Sequence, residues 1–364
     1  MSLSSKPTLG DIAKMTGLSQ AAVSMILNGK SGMSFSEETI RRVHEAAEQI
    51  HYRKPGQSGK SAKLFDKRVI AIFCPTVTNP YYSALIQSIE QAARAKKYST
   101  FVFNTYRDPA NEIYFLSILQ NTDIAGVIFA AIPLAGKLVE EINCSIPVVV
   151  IGDRNKEVGV DTVEVDNYKA GVIIAQHLIE LGHRHIAYIS TTLNQNNTAR
   201  VKRLEGLQDT FRKECENGSI LVKSKAFSPQ EDLNTPMIEH AVGYQLTKEC
   251  LSQKKITAFA AVNDMVAYGI IDALGSEHYR VPEDYSVCGF DNIFPSQLIS
   301  LPLTTVEHHI QEKGRNAFEM LLSRITNLDT EGVLPNSIIR VEYQPRLIVR
   351  GTTAPPREES KSNP

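Results

Sequence analysis

The sequence predicts two parts of different fold class: a small all-α helix-turn-helix module over residues 1–52, and an α/β body over 68–351 made of doubly wound parallel sheets in two lobes. Three observations lead there. Between Thr8 and Tyr52, apolar residues recur at helical spacing in three short stretches, each opened by a capping residue. From Arg68 onward, short apolar runs alternate with longer amphipathic segments, the pattern of strands joined by helices. Charge divides along the same line: residues 1–68 hold eleven Lys/Arg against six Asp/Glu, net +5, and the remainder holds 28 basic against 34 acidic residues, net −6. A basic head on an acidic body points to a polyanion as partner of the head alone.

In the head, Thr8-Leu-Gly-Asp11 has the form of a capping box, with the threonine oxygen covering a free amide. The first helix carries Leu9, Ile12 and Ala13 and stops at Gly17; Ser19 caps a second over Gln20–Asn28, with Val23, Ile26 and Leu27 on one side. Ser36 caps a third, whose Glu37 and Glu38 suit the positive end of the dipole. Two helices crossing near a right angle need a small residue at the contact, which Ala13 supplies, and a tight turn needs a residue tolerant of positive φ, which Gly17 supplies. Val23 fills the space between them, leaving Gln20, Ala21, Ser24 and Met25 facing outward, where a helix-turn-helix reads a major groove. A packed helical hairpin with no nucleic-acid role is the alternative that this pattern leaves open.

Residues 53–67 read as a hinge or linker, with Gly56 and Gly59 disfavouring helix. Gly59-Lys60-Ser61 is not a phosphate loop, because Lys54 stands where the first glycine belongs and no strand precedes it. In the body, strands are expected at Val69–Phe73, Ser99–Asn104, Gly126–Ala130, Pro147–Ile151, His185–Ser190, Thr257–Val262, Ser286–Phe290 and Thr304–Val306. Helices are expected between them at Tyr82–Lys97, Asn111–Gln120, Asn167–Leu181, Ala199–Cys215, Met237–Ser252, Asp264–Leu274 and His309–Ile325. In such folds ligands bind outside the carboxyl ends of the strands, where Thr76 to Tyr82, Asp153, Asn194 to Asn197, Asn263-Asp264 and Asp291-Asn292 stand. Gly182-His-Arg-His185 reads as a helix end with basic residues near the negative dipole, and His308-His309 as structural, since adjacent side chains on a helix diverge. The five cysteines lie far apart with no C-x-x-C pair, which excludes a zinc site and a disulfide framework; Cys74 and Cys288, in apolar runs, are expected to be buried thiols. Residues 352–364, polar and proline-rich, are expected to be disordered.

Several runs carry a resemblance. Thr8-Leu-x-Asp-Ile-Ala13, Gly17-Leu-Ser19, Ala22-Val-Ser24, Leu27-Asn28-Gly29, Ser36-x-Glu-Thr39, Arg42-Val43-x-x-Ala46-Ala47 and His51-Tyr52 resemble the headpiece of the lactose-repressor (LacI/GalR) family. Asn79-Pro-Tyr-Tyr82, Val150-Ile-Gly-Asp153-Arg154, Asp166-Asn-x-x-Ala-Gly171, Leu181-Gly-His-Arg-His-Ile186, Val262-Asn-Asp-x-x-Ala-x-Gly269, Val281-Pro-Glu-Asp-x-Ser-Val-x-Gly-Phe-Asp291 and Leu303-Thr-Thr-Val306 extend it over nearly the whole chain. The resemblance implies an effector domain with the fold of periplasmic sugar-binding proteins. It implies that Thr8, Ser19, Ser24 and Asn28 hold phosphates, that Leu9, Gln20 and Ala21 approach base edges, and that Tyr81, Asp153, Arg203, Asn263 and Asp291 contact the effector.

The sequence departs from that family twice. Met25 stands where many relatives carry arginine, which puts one guanine contact in doubt. The relatives' hinge leucine, which wedges into the minor groove, is displaced by three positions, leaving Leu64 or Phe65 as candidate wedges and a flexible tether as the alternative. The chemistry of the effector contacts suits a polyol: carboxylates and amides share hydroxyl hydrogen bonds, arginine clamps adjacent oxygens, and an aromatic face packs a ring. Each also has a structural reading: Asp153 and Asp291 as caps of turns, Asn263 as a helix cap, and Arg203 paired with Glu205 at the surface.

The expectation is therefore a cytoplasmic, homodimeric DNA-binding regulator, a repressor that binds a pseudo-palindromic double-stranded operator and answers to a sugar or sugar derivative. Alternatives are a nucleobase or nucleoside effector, a phosphoprotein corepressor, or a cytoplasmic sugar-binding protein. A membrane partner, a cofactor, a metal and catalytic residues are not expected: there is no membrane span or signal peptide, and no dinucleotide fingerprint, nucleophile elbow or metal-ligand spacing.

Overall fold

The computed structural model describes residues 8–27, 35–50, 68–120, 122–152, 158–253, 255–298 and 302–357. Asn28, the linker with Leu64 and Phe65, and Asp153 lie outside the described residues. The chain divides into two units, Met1–Leu64 and Phe65–Pro364.

In the first unit, α1 (Leu9–Thr16), α2 (Gln20–Leu27) and α3 (Glu37–Gln49) enclose Ile12, Ala13, Val23, Ile26, Val43 and Ala46. The capping box expected at the start of α1 forms between Thr8 and Asp11, whose carboxylate accepts from the Thr8 N–H at 2.8 Å and also from the Thr8 hydroxyl at 2.7 Å. An ionised acceptor wins both donors at a helix N-terminus. Helix α1 ends at Gly17, where φ is +72° and the N–H donates to Ala13 O at 3.0 Å. The Ser19 and Ser36 hydroxyls accept from Ala22 N and Thr39 N, each at 3.2 Å, opening the other two helices as expected.

The second unit runs β1 (Val69–Cys74), α4 (Pro80–Ala95), β2 (Ser99–Asn104), α5 (Pro109–Leu119), β3 (Gly126–Phe129), α6 (Gly136–Asn143), β4 (Val148–Gly152), β5 (Asp161–Val165), α7 (Asn167–Glu180), β6 (His185–Ser190), α8 (Thr198–Glu214) and β7 (Ser219–Ser224). It continues with α9 (Pro229–Asn234), α10 (Ile238–Cys250), β8 (Ala258–Ala261), α11 (Asp264–Ser276), β9 (Ser286–Asp291), β10 (Thr304–Glu307), α12 (Ile310–Glu331), β11 (Arg340–Tyr343) and β12 (Arg346–Ile348). Two sheets result, ordered β11-β5-β4-β3-β1-β2 and β12-β10-β9-β8-β6-β7. Every pairing is parallel except β10 with β12. The chain crosses between lobes three times: after β5, after β10, and between β11 and β12.

Strands β5, β7, β11 and β12 and helices α6 and α9 were not expected. Strand β5, Asp-Thr-Val-Glu-Val, places acids on a buried strand; Asp161 is tolerable there because Arg324 of α12 donates to both its oxygens at 2.7 Å and Ile339 N adds a third bond at 2.8 Å. Residues 351–357, expected to begin a disordered tail, are instead held against β9 and β10. Thr352 is 3% exposed, its hydroxyl donates to Val287 O at 2.7 Å and accepts from Thr304 N at 2.9 Å, and Val287 N donates to its carbonyl. Polar side chains there satisfy backbone groups that would otherwise be buried unpaired.

The basic helix end at 182–185 is also corrected. His183 is buried, its ring nitrogens bonded to Thr257, Ser286 and the Ala354 carbonyl, and burial pushes its pKa down to about 4, so it is a neutral strut and no partner of the helix dipole. Cys74 and Cys288 are buried as expected. No helix among the described residues is long and apolar enough to cross a membrane.

Helices α7 and α8 approach so closely that a Cβ on Gly171 would lie 2.0 Å from Arg203 O, and one on Gly206 2.0 Å from Tyr168 O. Gly206→Ala is expected to force the pair apart and to cost about 1–3 kcal/mol. A urea titration checks this, and a midpoint equal to that of the unchanged protein would refute the close contact.

Candidate functional site

On the first unit, the α2 face away from Val23 and Ile26 carries Gln20 and Ala21, both exposed, and Ser24 and Met25, half-buried. Thr8 and Ser19 are exposed beside it, and Leu9 packs partly against the small core. A short exposed amide and a methyl at the start of a helix are groups able to meet base edges.

On the second unit, the strands of both lobes point their carboxyl ends at one cavity of about 240 Å³. Four of the five expected contacts, Tyr81, Arg203, Asn263 and Asp291, line it; Asp153 lies outside the described residues, although Ile151 and Gly152 just before it reach the cavity. Asn79, within the expected Thr76 to Tyr82 segment, lines it too, as does His308; sequence reasoning passed over Arg107, Arg200, Glu239 and Lys313, which also line it.

These groups form two clusters. In the first, Arg203 is 8% exposed and spends its guanidinium on Asn167 Oδ1 at 2.8 Å, Val262 O at 2.7 Å and His308 Nε2 at 3.2 Å, with Asp291 Oδ1 3.9 Å away and Phe290 beneath it. The surface pairing with Glu205 is thereby excluded. His308 Nδ1 lies 3.1 Å from Asp291 Oδ1. Burial, then repulsion from Arg203 and Lys313, holds its pKa well below the usual value. A neutral ring donating from Nδ1 to Asp291 and accepting from Arg203 at Nε2 fits both contacts.

The expectation that His308 is only structural is corrected here: it stands in the cavity wall, while His309 diverges to stack on Tyr343. Burial pushes the Lys313 ammonium down to about 7 against the pull of Asp291, and Lys313 Nζ donates to the Tyr81 hydroxyl at 2.7 Å. Asp291 itself sits at φ +118°, followed by Asn292 at +52°, a strained turn held because Arg350 grips Asn292 Oδ1 at 2.6 Å. Behind that turn, Asp264 accepts from Ser296, Thr305 and Ile293 N, and burial raises its carboxyl above the ordinary range.

The second cluster centres on Glu239 of α10. Its Oε2 accepts from Asn79 Nδ2 at 2.6 Å and Asn263 Nδ2 at 2.8 Å, and its Oε1 from Arg200 Nη2 at 3.2 Å. Asn263 is a helix cap, its Oδ1 accepting from Val266 N at the start of α11, while its Nδ2 donates to Glu239 in the cavity wall. Arg107 donates to the Tyr82 hydroxyl at 3.0 Å and reaches Asn197 Oδ1 at 3.5 Å. Arg200 had one sequence signal: it precedes Arg203 by three residues on α8 and shares its face. Glu239 had none. No cluster of three or more His, Cys, Asp or Glu able to hold a metal occurs among the described residues.

Comparison with known proteins gives two matched segments: residues 8–54 match bacterial regulatory proteins of the lacI family, and 175–353 a periplasmic binding protein-like domain. The chain is 31% identical over 351 residues to the HTH-type transcriptional repressor PurR of Haemophilus influenzae (strain PittEE), covering 94% of this chain and 97% of that one. Among solved structures it is similar to a LacI family transcriptional regulator from Enterococcus faecium with bound ribose, at 26% identity and TM-score 0.67, covering 79% of this chain and 99% of that one. It also shares the fold of a periplasmic binding protein/LacI transcriptional regulator from Alkaliphilus metalliredigens QYMF complexed with D-xylulofuranose, at 24% identity and TM-score 0.64, with coverage of 79% and 99%.

Removing Arg203 leaves Asn167 Oδ1, Val262 O and His308 Nε2 without their buried donor, and Asp291 without a buried counter-charge. Arg203→Ala is expected to lower stability by about 3–5 kcal/mol, and Arg203→Lys to recover little, because a point charge cannot serve acceptors on three sides. Denaturant unfolding of the two variants checks this; a loss below about 1 kcal/mol for the alanine variant, the scale of an exposed pair, would refute the buried network.

Proposed function

The chain belongs to the lacI family of bacterial regulatory proteins, and from that premise we propose that its cleft receives a sugar or sugar derivative whose binding sets the affinity of a homodimer for a pseudo-palindromic operator. The chain is a DNA-binding transcriptional regulator controlled by a small molecule, and not an enzyme.

The observation that carries the sugar reading is the convergence of Tyr81, Arg203, Asn263 and Asp291 from both lobes on one cavity. An aromatic face beside amide, carboxylate and guanidinium groups is the donor and acceptor set that a polyhydroxylated ring requires. The ribose-bound Enterococcus faecium regulator lends support from the same family.

For the head, Thr8, Ser19, Ser24 and Asn28 are proposed to hold phosphates, and Leu9, Gln20 and Ala21, with Met25 beside them, to approach base edges. Leu64 or Phe65 is the proposed minor-groove wedge. The homodimer is supported by an apolar sheet edge: β2 exposes Phe101 and Val102, and α5 exposes Ile113 and Tyr114. An edge strand with exposed apolar side chains invites pairing. The regulator acts in the cytoplasm, where operator DNA lies.

Selection of an operator from random duplex DNA, followed by gel-shift titration with sugars, sugar derivatives, nucleosides and purine bases, tests the proposal. Gln20→Ala is expected to relax preference at one base pair per half-site at a cost of about 1–3 kcal/mol. Asp291→Ala should abolish the effector response while leaving operator affinity largely intact. A normal response from Asp291→Ala would overturn the cleft assignment, and a response confined to nucleosides or bases would overturn the sugar.

A further inference from the structure

Arg107 and Arg200 enter the effector cavity from opposite lobes, one from the turn between β2 and α5 and the other from α8. The turn holding Arg107 is strained: Tyr106 and Arg107 stand at φ +52° and +54°, pinned by Tyr106 N to Pro75 O at 2.9 Å and Asp108 N to Thr105 O at 3.0 Å. Two consecutive left-handed residues other than glycine persist only where surrounding structure enforces them, and they gather at ligand clamps.

The charges in this half of the cavity are unevenly matched. Among the described residues, Glu239 is the one carboxylate ion-paired with either arginine, and its partner is Arg200. Arg107 makes its hydrogen bonds to a phenol and an amide, both neutral; burial opposes its charge, and Tyr82, Glu239 and Asp232, the last beside it in a small adjoining pocket, hold its pKa above the ordinary value. Glu112, which lines the cavity with Glu239 and Asp291, is turned to the Leu134 and Ala135 amides. The Arg200 guanidinium is pushed down to about 10 by burial and next by Arg107, against the pull of Glu239.

Glu239 is itself held as a bound anion would be. Two side-chain amides and a guanidinium converge on its carboxylate inside the cavity. A neutral hydroxyl group arriving there would leave two guanidinia sharing one ion-paired carboxylate and Arg107 with no charged hydrogen-bond acceptor, whereas an oxyanion would satisfy both guanidinia through charge-assisted, forked bonds.

We propose that the effector carries a carboxylate or phosphate, received jointly by Arg107 and Arg200, and that it displaces Glu239, which occupies the anion subsite in the unliganded protein. The inference rests on the sugar reading for the rest of the ligand: the effector is a sugar acid or sugar phosphate.

The test is calorimetric titration of the full-length protein with matched probes: D-ribose against D-ribose 5-phosphate, and D-glucose against D-glucose 6-phosphate and D-gluconate, with inorganic phosphate and acetate alone as controls. A charged member is expected to bind at least about tenfold tighter than its neutral partner, the scale of one charge-assisted bond, and the phosphate and carboxylate arms identify which anion is meant. Arg107→Gln and Arg200→Gln should each erase that ratio, and Arg107→Lys should keep part of it. Glu239→Gln should tighten anion binding, because the competing carboxylate is gone, whereas a Glu239 that serves as acceptor for a neutral sugar would give the opposite sign. Circular dichroism establishes that each variant folds.

Equal affinity for neutral and charged probes, an Arg107→Gln variant with the ratio unchanged, or a panel in which no anion binds would overturn the proposal. Binding of neutral sugars alone would overturn it and leave the sugar reading standing, whereas binding of inorganic phosphate or acetate with no sugar partner would support the anion subsite and remove the sugar.

Discussion

A guanidinium that is nine-tenths buried has to be bonded on every side, and Arg203 imposes that condition on the centre of the second unit. Its partners come from the start of α7, the end of β8, the end of β9 and the crossing after β10, so the groups that satisfy one side chain also tie together segments far apart in the chain. The close packing of α7 on α8 through Gly171 and Gly206 is what brings Arg203 into reach of Asn167. His308, kept neutral by burial and by the same arginine, is bonded to both members of the pair it separates.

The cleft built around that centre is divided in its chemistry. One half holds Arg203, Asp291 and a neutral His308 in direct contact, with Lys313 acting on Asp291 through space. The other half has bonds that cross between the lobes, from Asn79 to Glu239 and from Arg107 to Asn197. A ligand replacing the crossing bonds changes what joins the lobes, and it shifts a conformational equilibrium only by its differential affinity for the two states. With three chain crossings connecting the lobes, such a change has a covalent route through the unit.

Much of this was legible in the residues. Strands Ser99–Asn104 and His185–Ser190 stand where apolar runs put them, and α2 starts at the capping Ser19 that announces it. Of the five effector contacts expected through family resemblance, Tyr81, Arg203, Asn263 and Asp291 line one cavity, and Asp153 lies outside the described residues. What was missed shares a cause. Strand β5 was unreadable because Asp161 and Glu164 resemble surface residues until Arg324 is known to lie beside the first. His183 was taken for a surface cation, because nothing local announces the carbonyl and hydroxyls that bury it. Residues 352–354 look like loop, and only β9 and β10 give them a place.

By itself the sequence determined the fold class, the order of the main elements, the three-helix head and the family, because periodicity, capping and turn chemistry act over a few residues and are written locally. The tertiary structure alone decided which charges face one another: that Glu239 meets Asn79 across 160 positions, that Arg107 spends its hydrogen bonds on Tyr82 and Asn197, and that His308 sits uncharged between Arg203 and Asp291. Burial and long-range pairing set the state of an ionisable group, and neither can be read from the residues beside it.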